Sequence, residues 1–332
     1  MYNSGMDMKT GNSISPHDFR PGRERFLTEV LDGLRKPQKE LPSKYFYDER
    51  GADLFKRICS LEEYYIPLTE ASIMRANIAA IVELIGPRVL IIEYGCGDCK
   101  KVRFLLDHLP DPVAFVPIDI SQKQLERAVK DLTSDYPRLE VLPVCADYTS
   151  SLEIPHPKRD FNRRVVYFPG STIGNFDPVP ARQFLKHVAG VLGPDGALLM
   201  GVDLKKDVAR LHRAYNDSQG VTAVFNLNLL ERINRELNCD FQVDCFRHYA
   251  LYNPKESRIE MHLVSQKEQT VHLGNAAVHF ARGESIWTES SYKYNLDDFQ
   301  EMAAAAGLRV ELVWTDPREW FSVQYLEVSG RI

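Results

Sequence analysis

The stretch VLIIEYGCGDCKK at Val89–Lys101 decides the fold of this chain. A β-branched apolar run ends in an acid and a Gly-x-Gly turn, and a helical pattern follows. This order is typical of the first strand of a parallel sheet, where backbone N–H groups meet a nucleotide-like ligand at the carboxyl end of the strand. Lys100 stands where a dinucleotide fingerprint would have its third glycine, so a pyrophosphate has a poor cradle here. The stretch therefore favours an adenosyl ligand without phosphates.

Strand and helix patterns alternate downstream of this turn. The predicted strands are Val89–Glu93, Ala114–Ile118, Leu139–Val144, Arg164–Phe168 and Ala197–Asp203, and the predicted helices are Val102–His108, a helix capped by Ser121 and running to about Asp135, and Val179–Leu192. Such alternation predicts an α/β fold with a Rossmann-like parallel sheet and helices on both faces. A helix at Asn295–Ala306 and a hairpin formed by Leu308–Trp314 and Phe321–Val328 close the chain. They predict an antiparallel last strand, which a plain NAD-binding domain lacks.

The remaining segments predict a second, α+β lobe. Helices are expected at Phe19–Leu34, Lys44–Cys59, Thr69–Leu84 with Thr69 as N-cap, Val208–Asp217 and Val221–Leu237, and several strands within Phe241–Phe280. The predicted division is a disordered N-terminus at 1–17, the N-terminal part of a substrate-binding lobe at 18–70, the core at 71–204, an inserted part of that lobe at 205–294, and the C-terminal part of the core at 295–332.

Composition narrows the class of protein. The 332 residues are 44% hydrophobic and 26% charged, as in ordinary globular proteins. A net charge of −5 argues against nucleic acid as a partner. No apolar run reaches the roughly 18 residues that suggest a membrane span, and the polar N-terminus has no signal-peptide core. We expect a cytoplasmic monomer that acts on a small molecule.

Cysteine and histidine patterns give no metal site. Cys96 and Cys99 form a C-x-x-C pair, which is compatible with redox chemistry or half of a zinc site, but no second pair exists. The pattern favours two small loop residues beside a ligand, and all six cysteines are expected to be reduced. The nine histidines, His248, His262, His272 and His279 among them, lack compact ligand spacing, so solvated positions and no metal are expected.

Polar residues at successive predicted strand ends indicate how an adenosyl ligand is held. Gly95 and Gly97 allow close approach of the backbone. Asp119, after the second strand, is positioned to accept from both ribose hydroxyls, although a solvated helix N-cap is its alternative reading. Asp147 suits the adenine amino group, and Tyr148 can pack on the ring. The three strand ends together predict an S-adenosylmethionine site.

Longer motifs resemble the histidine-specific Nα-methyltransferase family of ergothioneine biosynthesis. They are LPSKYFYDERGADLF at Leu41–Phe55, EYY with TE at Glu63–Glu70, FPGSTIGNF at Phe168–Phe176, AYNDSQGVTAVFN at Ala214–Asn226, RIEM at Arg258–Met261, and TESSYKY at Thr288–Tyr294. The resemblance covers nearly the whole chain from about Leu41. It implies a class I methyltransferase sheet and trimethylation of the α-amine of L-histidine to its betaine, hercynine, with S-adenosylmethionine and without a metal.

The resemblance also implies a role for individual residues. Asn175 and Tyr215 would hold the substrate carboxylate and amine, and Tyr47 would lie beside the α-amino group; these three form the implied catalytic set. Glu289 and Ser291 would bind the imidazole, with Tyr64 nearby through water. Phe55, Thr222 and Met261 would shape the pocket wall. The cofactor turn would comprise Gly95, Cys96, Gly97 and Lys101, although DCKK departs from the family's usual continuation after Gly-x-Gly.

Three alternatives stay open at this point. The same chemistry on another amino acid, such as a prenylated tryptophan, is disfavoured by Glu289 and Ser291, because an indole gains little from a carboxylate–hydroxyl pair. Each tyrosine could instead serve core packing, Asn175 could stabilise a turn, and the chain could be a non-catalytic binder. An NAD-dependent oxidoreductase is disfavoured by the missing third glycine and the terminal hairpin.

Overall fold

In the part that the structure describes, the N-terminal segment contributes two strands, three α-helices and one 3₁₀ helix. The computed structural model describes residues 17–19, 22–147 and 153–330. The elements are β1 (His17–Phe19), α1 (Arg23–Leu34), β2 (Lys39–Glu40), a 3₁₀ helix (Ser43–Phe46), α2 (Glu49–Ile58) and α3 (Ile66–Ile85). His17 was predicted to be disordered, but it pairs with Val144; residues 1–16 of that predicted segment lie outside the described residues.

Three predictions for this segment are wrong. The helix predicted over Phe19–Leu34 begins only at Arg23, and Phe19 belongs to β1. The single helix predicted over Lys44–Cys59 is interrupted at Tyr47, because Asp48 accepts the N–H of Gly51 and starts a new helix there. A Cβ on Gly51 would lie 1.7 Å from the carbonyl oxygen of Phe46, so this tight reversal requires glycine. Thr69 is not an N-cap, since α3 begins a turn earlier and the Thr69 hydroxyl donates to the Tyr65 carbonyl.

The central sheet is built as its sequence pattern predicts. Its elements are β3 (Val89–Tyr94), α4 (Lys100–Leu106), β4 (Ala114–Asp119), α5 (Gln122–Asp135), β5 (Glu140–Val141), β6 (Val144–Ala146), β7 (Arg163–Phe168), a 3₁₀ helix (Thr172–Asn175), α6 (Pro178–Leu192) and β8 (Ala197–Asp203). The third predicted strand is split into β5 and β6. Ser121 occupies the N-cap position of α5, but its side chain makes no cap bond; its backbone N–H donates to Asp119 Oδ1.

The inserted segment forms helices and a separate sheet. Its elements are α7 (Val208–Tyr215), α8 (Val221–Leu237), a 3₁₀ turn (Val243–Cys245), β9 (Phe246–Asn253), β10 (Arg258–Ser265), β11 (Gln269–Leu273), β12 (Ala276–Phe280) and β13 (Ser285–Tyr292). One four-stranded sheet has the order β2-β13-β10-β9. Because Lys39 and Glu40 of β2 pair with Ile286 and Trp287, the N-terminal segment and the insertion share that sheet.

The chain closes with α9 (Leu296–Ala305), β14 (Leu308–Thr315) and β15 (Phe321–Val328). The long sheet runs β1-β6-β4-β3-β7-β8-β15-β14, with β5 beside β4. Strands β3 to β8 are parallel, whereas β15 lies antiparallel between β8 and β14. This confirms the predicted mixed sheet with an antiparallel last strand. Buried clusters pack on both faces of the sheet, and a cavity lies at the carboxyl ends of β3, β4 and β6. No helix in the described part of the chain is long and apolar enough to cross a membrane.

Candidate active site

One cavity of about 800 Å³ runs from the carboxyl ends of β3 and β4 to the sheet of the inserted segment. Every predicted site residue except one lines this cavity: Tyr47, Phe55, Tyr64, Gly95, Cys96, Gly97, Lys101, Asp119, Asp147, Asn175, Tyr215, Thr222, Met261, Glu289 and Ser291. The exception, Tyr148, lies outside the described residues. Residues more than two hundred positions apart in sequence thus meet around one space.

The turn after β3 is held by its neighbour strand. Gly95 (φ +69°) and Gly97 (φ +57°) adopt left-handed conformations that favour glycine. The Gly97 N–H donates to Asp119 Oδ2 and the Ser121 N–H to Oδ1, both at 2.8 Å. Burial raises the pKa of Asp119, and these backbone donors oppose the rise. Each carboxylate oxygen keeps a further lone pair for a ligand, as a ribose diol would require.

A buried acid at the end of β3 tests whether the cavity fits S-adenosylmethionine. Glu93 is 1% exposed, lines the cavity, and its Oε2 has no hydrogen-bond partner among the described residues. Burial raises the pKa of Glu93 well above its ordinary value, and the nearby Lys101 only partly opposes this. A buried carboxyl oxygen without a partner needs a polar or cationic ligand group beside it, and a cation there would favour the ionised form of Glu93. The acid, the glycine turn and Asp119 therefore fit an adenosyl sulfonium.

Lys101 is tied to an acid that the sequence prediction missed. Its Nζ lies 2.7 Å from Oε2 of the buried Glu70, whose Oε1 accepts the Gly170 N–H at 2.7 Å. Glu70 thus links the turn after β3 to the loop after β7. Cys99, in the departing DCKK stretch, is fully buried with φ +53° and begins α4. The departure leaves the glycine turn intact, and Cys96 and Cys99 are free thiols.

Asp147 connects the strand end of β6 to the N-terminal segment. Lys44 Nζ lies 2.9 Å from Asp147 Oδ2 and 2.7 Å from Glu29 Oε2. Both acids and the lysine line the cavity. Asp147 is 4% exposed, so a ligand that reaches its carboxylate must come from the cavity side. The residue predicted to bind adenine therefore also joins the central sheet to the N-terminal segment, through Lys44.

Strand β13 presents the polar face of the other half of the cavity. Glu289 and Ser291 are two residues apart, so their side chains share one face of the strand. Met261 on β10 pairs directly with Glu289 and shares that face. The Tyr215 hydroxyl, at the end of α7, donates to Ser291 Oγ at 2.7 Å. Burial raises the pKa of Glu289 to about 7, with Lys293 opposing the rise.

Aromatic rings form the wall between the two halves. Tyr47 meets Phe55 edge to face at a centroid distance of 5.6 Å and Phe225 at 5.9 Å. Tyr64 meets Tyr215 in the same way at 6.0 Å. Phe225 was not predicted, although it lies in the motif at Ala214–Asn226 and lines the cavity. Such rings present electron-rich faces to a cation.

The histidine prediction is wrong for two residues. His262 is buried, and its ring stacks on Trp287. His248 is half-buried, with Nε2 2.9 Å from the Tyr215 carbonyl and Nδ1 2.9 Å from Asn226 Nδ2. Burial lowers the pKa of both rings, so they serve as neutral packing groups. Within residues 22–147 and 153–330, no group of three or more His, Cys, Asp or Glu side chains could hold a metal ion.

Comparison with known proteins shows that the chain is similar to N-methyltransferases of amino acids. Residues 26–328 match the family described as "Histidine-specific methyltransferase, SAM-dependent". The chain is 43% identical over 300 residues to a histidine N-alpha-methyltransferase of Mycolicibacterium smegmatis, covering 89% of this chain and 92% of the relative. The corresponding protein of Mycobacterium tuberculosis is 43% identical, covering 87% and 90%. A 4-dimethylallyltryptophan N-methyltransferase of Claviceps fusiformis is 27% identical, covering 87% and 88%.

Proposed function

We propose that this chain, which belongs to the S-adenosylmethionine-dependent, histidine-specific methyltransferase family, transfers three methyl groups to the α-amine of L-histidine. What carries the proposal is the shared cavity, with the glycine turn and Asp119 at one end and Glu289 with Ser291 at the other. The methyl donor and the amino acid would thus occupy one space. Histidine betaine and S-adenosylhomocysteine are the expected products.

The cofactor residues are suited to an adenosyl ligand that carries a positive charge. Gly95 and Gly97 would lie against it, Asp119 would accept from the ribose hydroxyls, and Asp147 would accept from the adenine amino group. The bound cofactor supplies an electrophilic methyl group on its sulfonium. The chain's own part is to hold the amine deprotonated and in line with that methyl group, which is the main source of rate in such a displacement.

Glu289 and Ser291 would read the substrate ring. A neutral imidazole has one N–H donor and one acceptor nitrogen. Glu289 would accept from the N–H and Ser291 would contact the other nitrogen, whereas an indole offers a donor only. A carboxylate left without a donor in this cavity would be unfavourable, by about 1–3 kcal/mol, which supports discrimination against rings of the wrong type.

The amine would lie against the aromatic wall. The α-ammonium group must lose one proton before each of the three transfers, and Tyr47 is the residue we assign beside the nitrogen. The growing methylammonium would face Tyr47 and Phe55. Cation–π attraction of about 0.5–2 kcal/mol per ring would tolerate the permanent charge of the product. Asn175 and Tyr215 would together hold the carboxylate and the amine, so that the nitrogen stays aligned between transfers.

The test is mass spectrometry of products after the pure protein is incubated with S-adenosylmethionine and each amino acid in turn. Accumulation of trimethylated histidine alone supports the proposal. Methylation of tryptophan or a prenylated tryptophan instead would overturn the roles of Glu289 and Ser291. Absence of any methylation, with cofactor binding intact, would overturn the catalytic proposal in favour of a binding protein.

A further inference from the structure

A lysine beneath the proposed imidazole site has no role in the account so far. Lys293 follows β13 directly and is 2% exposed. Its Nζ lies 2.7 Å from Asp203 Oδ2, 2.8 Å from Ser291 Oγ and 3.1 Å from the Tyr215 hydroxyl. An ammonium group has three N–H donors and no lone pair. All three donors of Lys293 are therefore used, and two of them reach hydroxyl groups that line the substrate half of the cavity.

These contacts restrict what Ser291 can offer to a ligand. A serine hydroxyl has two acceptor lone pairs and one donor hydrogen. Ser291 Oγ accepts from Lys293 at 2.8 Å and from the Tyr215 hydroxyl at 2.7 Å, so both lone pairs are occupied. Ser291 lines the cavity, so the one hydrogen-bonding group that it can still offer to a ligand is its O–H donor.

We propose that Lys293 is a positioning and specificity residue which, by occupying the acceptor sites of Ser291, makes that hydroxyl a donor to the acceptor nitrogen of the substrate ring. This inference rests on the proposed function. Glu289 then accepts and Ser291 donates, so the pair matches a neutral imidazole in one orientation. A ring with no acceptor nitrogen gains nothing from Ser291. Both nitrogens of an imidazolium are N–H donors, so one of them would face the O–H hydrogen of Ser291 and find no acceptor there.

The carboxylate of Asp203, which Lys293 shares with a second buried lysine, Lys206, keeps Lys293 protonated. Asp203 is fully buried and accepts from Lys293, from Lys206 and from the Tyr65 hydroxyl. Burial acts to lower the pKa of Lys293, but the carboxylate of Asp203 outweighs it and raises the pKa. Burial lowers the pKa of Lys206 to about 8, because its share of the same carboxylate compensates less. Lys206 contacts neither Ser291 nor Tyr215; its other partners are the Tyr65 hydroxyl, at 2.7 Å, and the Leu204 carbonyl.

Lys206 therefore provides the matched control. Lys293→Met and Lys206→Met each remove one buried cation from Asp203, but only Lys293→Met frees a lone pair on Ser291. We expect Lys293→Met to raise the KM for histidine about tenfold, the usual effect of one hydrogen bond to a ligand, with a smaller change in kcat. Lys206→Met is expected to lower the melting temperature similarly and to leave the KM for histidine within about twofold.

Selectivity between substrate rings distinguishes this role from a purely structural one, because a general loss of stability would not change it. L-β-(2-thienyl)alanine has a ring of similar size without nitrogen, and its inhibition constant is compared with the KM for histidine. Lys293→Met and Ser291→Ala should each reduce the preference for histidine, and the double variant should lose no more than Ser291→Ala alone. Additive losses, or equal losses in Lys206→Met, would overturn the proposal.

Two results separate this proposal from the function on which it rests. If the wild-type protein does not methylate histidine, the proposed function fails, and isothermal titration of histidine still tests the role of Lys293. If the wild type trimethylates histidine but Lys293→Met retains its selectivity, only the present inference fails. Should Lys293→Met not fold, Lys293→Gln takes its place; its amide keeps two N–H donors, so a smaller loss in the same direction is expected, and unchanged selectivity would contradict us.

Discussion

Met261 lies directly opposite Glu289 in the antiparallel pairing of β10 and β13, and the strand register shifts immediately after Met261. Directly opposed side chains lie on the same face of a sheet, with Cβ atoms about 4.5–5.5 Å apart. The carboxylate therefore has an apolar thioether as its cross-strand neighbour. Both residues line the cavity, and burial is the main influence on the pKa of Glu289.

Replacement of Glu289 should weaken histidine binding more than it slows the reaction. We expect Glu289→Ala to raise the KM for histidine at least tenfold, because the ring N–H loses a charged acceptor worth about 1.5–3 kcal/mol. Steady-state kinetics with saturating S-adenosylmethionine measure this. Glu268→Ala, which changes an exposed acid of the same lobe, is the control. An unchanged KM in Glu289→Ala would contradict the assignment.

The same residue should make folding stability depend on pH. Because the folded pKa of Glu289 is raised from 4.5 to about 7, the folded state retains a proton that the unfolded state loses. Ionisation of Glu289 therefore destabilises the fold progressively as pH rises from about 4.5 to 7, and the full effect is present above 7. Glu289→Gln cannot ionise, so its free energy of unfolding should exceed that of the wild type by about 1–3 kcal/mol at pH 8 and by less at pH 5. Urea denaturation at the two pH values measures this; a pH-independent difference would be the contrary result.

Asp147 should discriminate between nucleosides. Its carboxylate can accept from the amino group of adenine, whereas hypoxanthine has a carbonyl oxygen at that position. We expect the wild-type protein to bind S-adenosylhomocysteine at least tenfold more tightly than S-inosylhomocysteine, and Asp147→Asn to reduce that preference. Asp119→Asn is the comparison, because it should weaken both nucleosides alike through the ribose. Isothermal titration gives all the affinities, and an undiminished preference in Asp147→Asn would refute the role.

Glu70 should matter for stability because it holds two loops together. Glu70→Ala leaves the ammonium of Lys101 and the Gly170 N–H without their carboxylate. The Lys101 side chain is 39% exposed, so the pair is only half-buried; its loss, together with that of the bond to the Gly170 N–H, should destabilise by about 1–3 kcal/mol and lower the Tm by a few degrees. Glu83→Ala, at an exposed position of the same helix, is the control. Equal melting temperatures for the two variants would show that Glu70 has no such function.

The fold was predictable because its pattern is local. Largely apolar runs such as Val89–Tyr94 and Ala197–Asp203 are buried throughout, and their alternation with helices predicts a parallel sheet. The break at Tyr47 was not predictable from periodicity, because the apolar residues on either side keep a helical spacing. It depends on Asp48 capping a new helix and on the approach of Phe46 to Gly51, which is a tertiary constraint.

The site was only partly predictable. The strand-end positions of Asp119 and Asp147 follow from the sheet, whereas Glu289 and Ser291 were reached through resemblance to a family. A signal for Lys293 was present but was not used: Glu289, Ser291 and Lys293 follow the two-residue period of a strand, which predicts three side chains on one face. Glu70 carried no such periodic signal, because its partners, Lys101 in the first turn of α4 and Gly170 in the loop after β7, are brought together only by the whole fold.

The position of β2 limits which fragments of this protein can form the proposed substrate pocket. Since residues 39–40 complete a sheet whose other strands end at Tyr292, the pocket for the amino acid exists only when most of the chain has been synthesised and folded. A fragment that ends before β13 retains the nucleotide turn but has no surface to read a side chain. Conversely, Met261, Glu289 and Ser291 lie on β10 and β13, so exchange of the single segment 258–292 would replace all three proposed substrate contacts while every strand end around the glycine turn stays as it is.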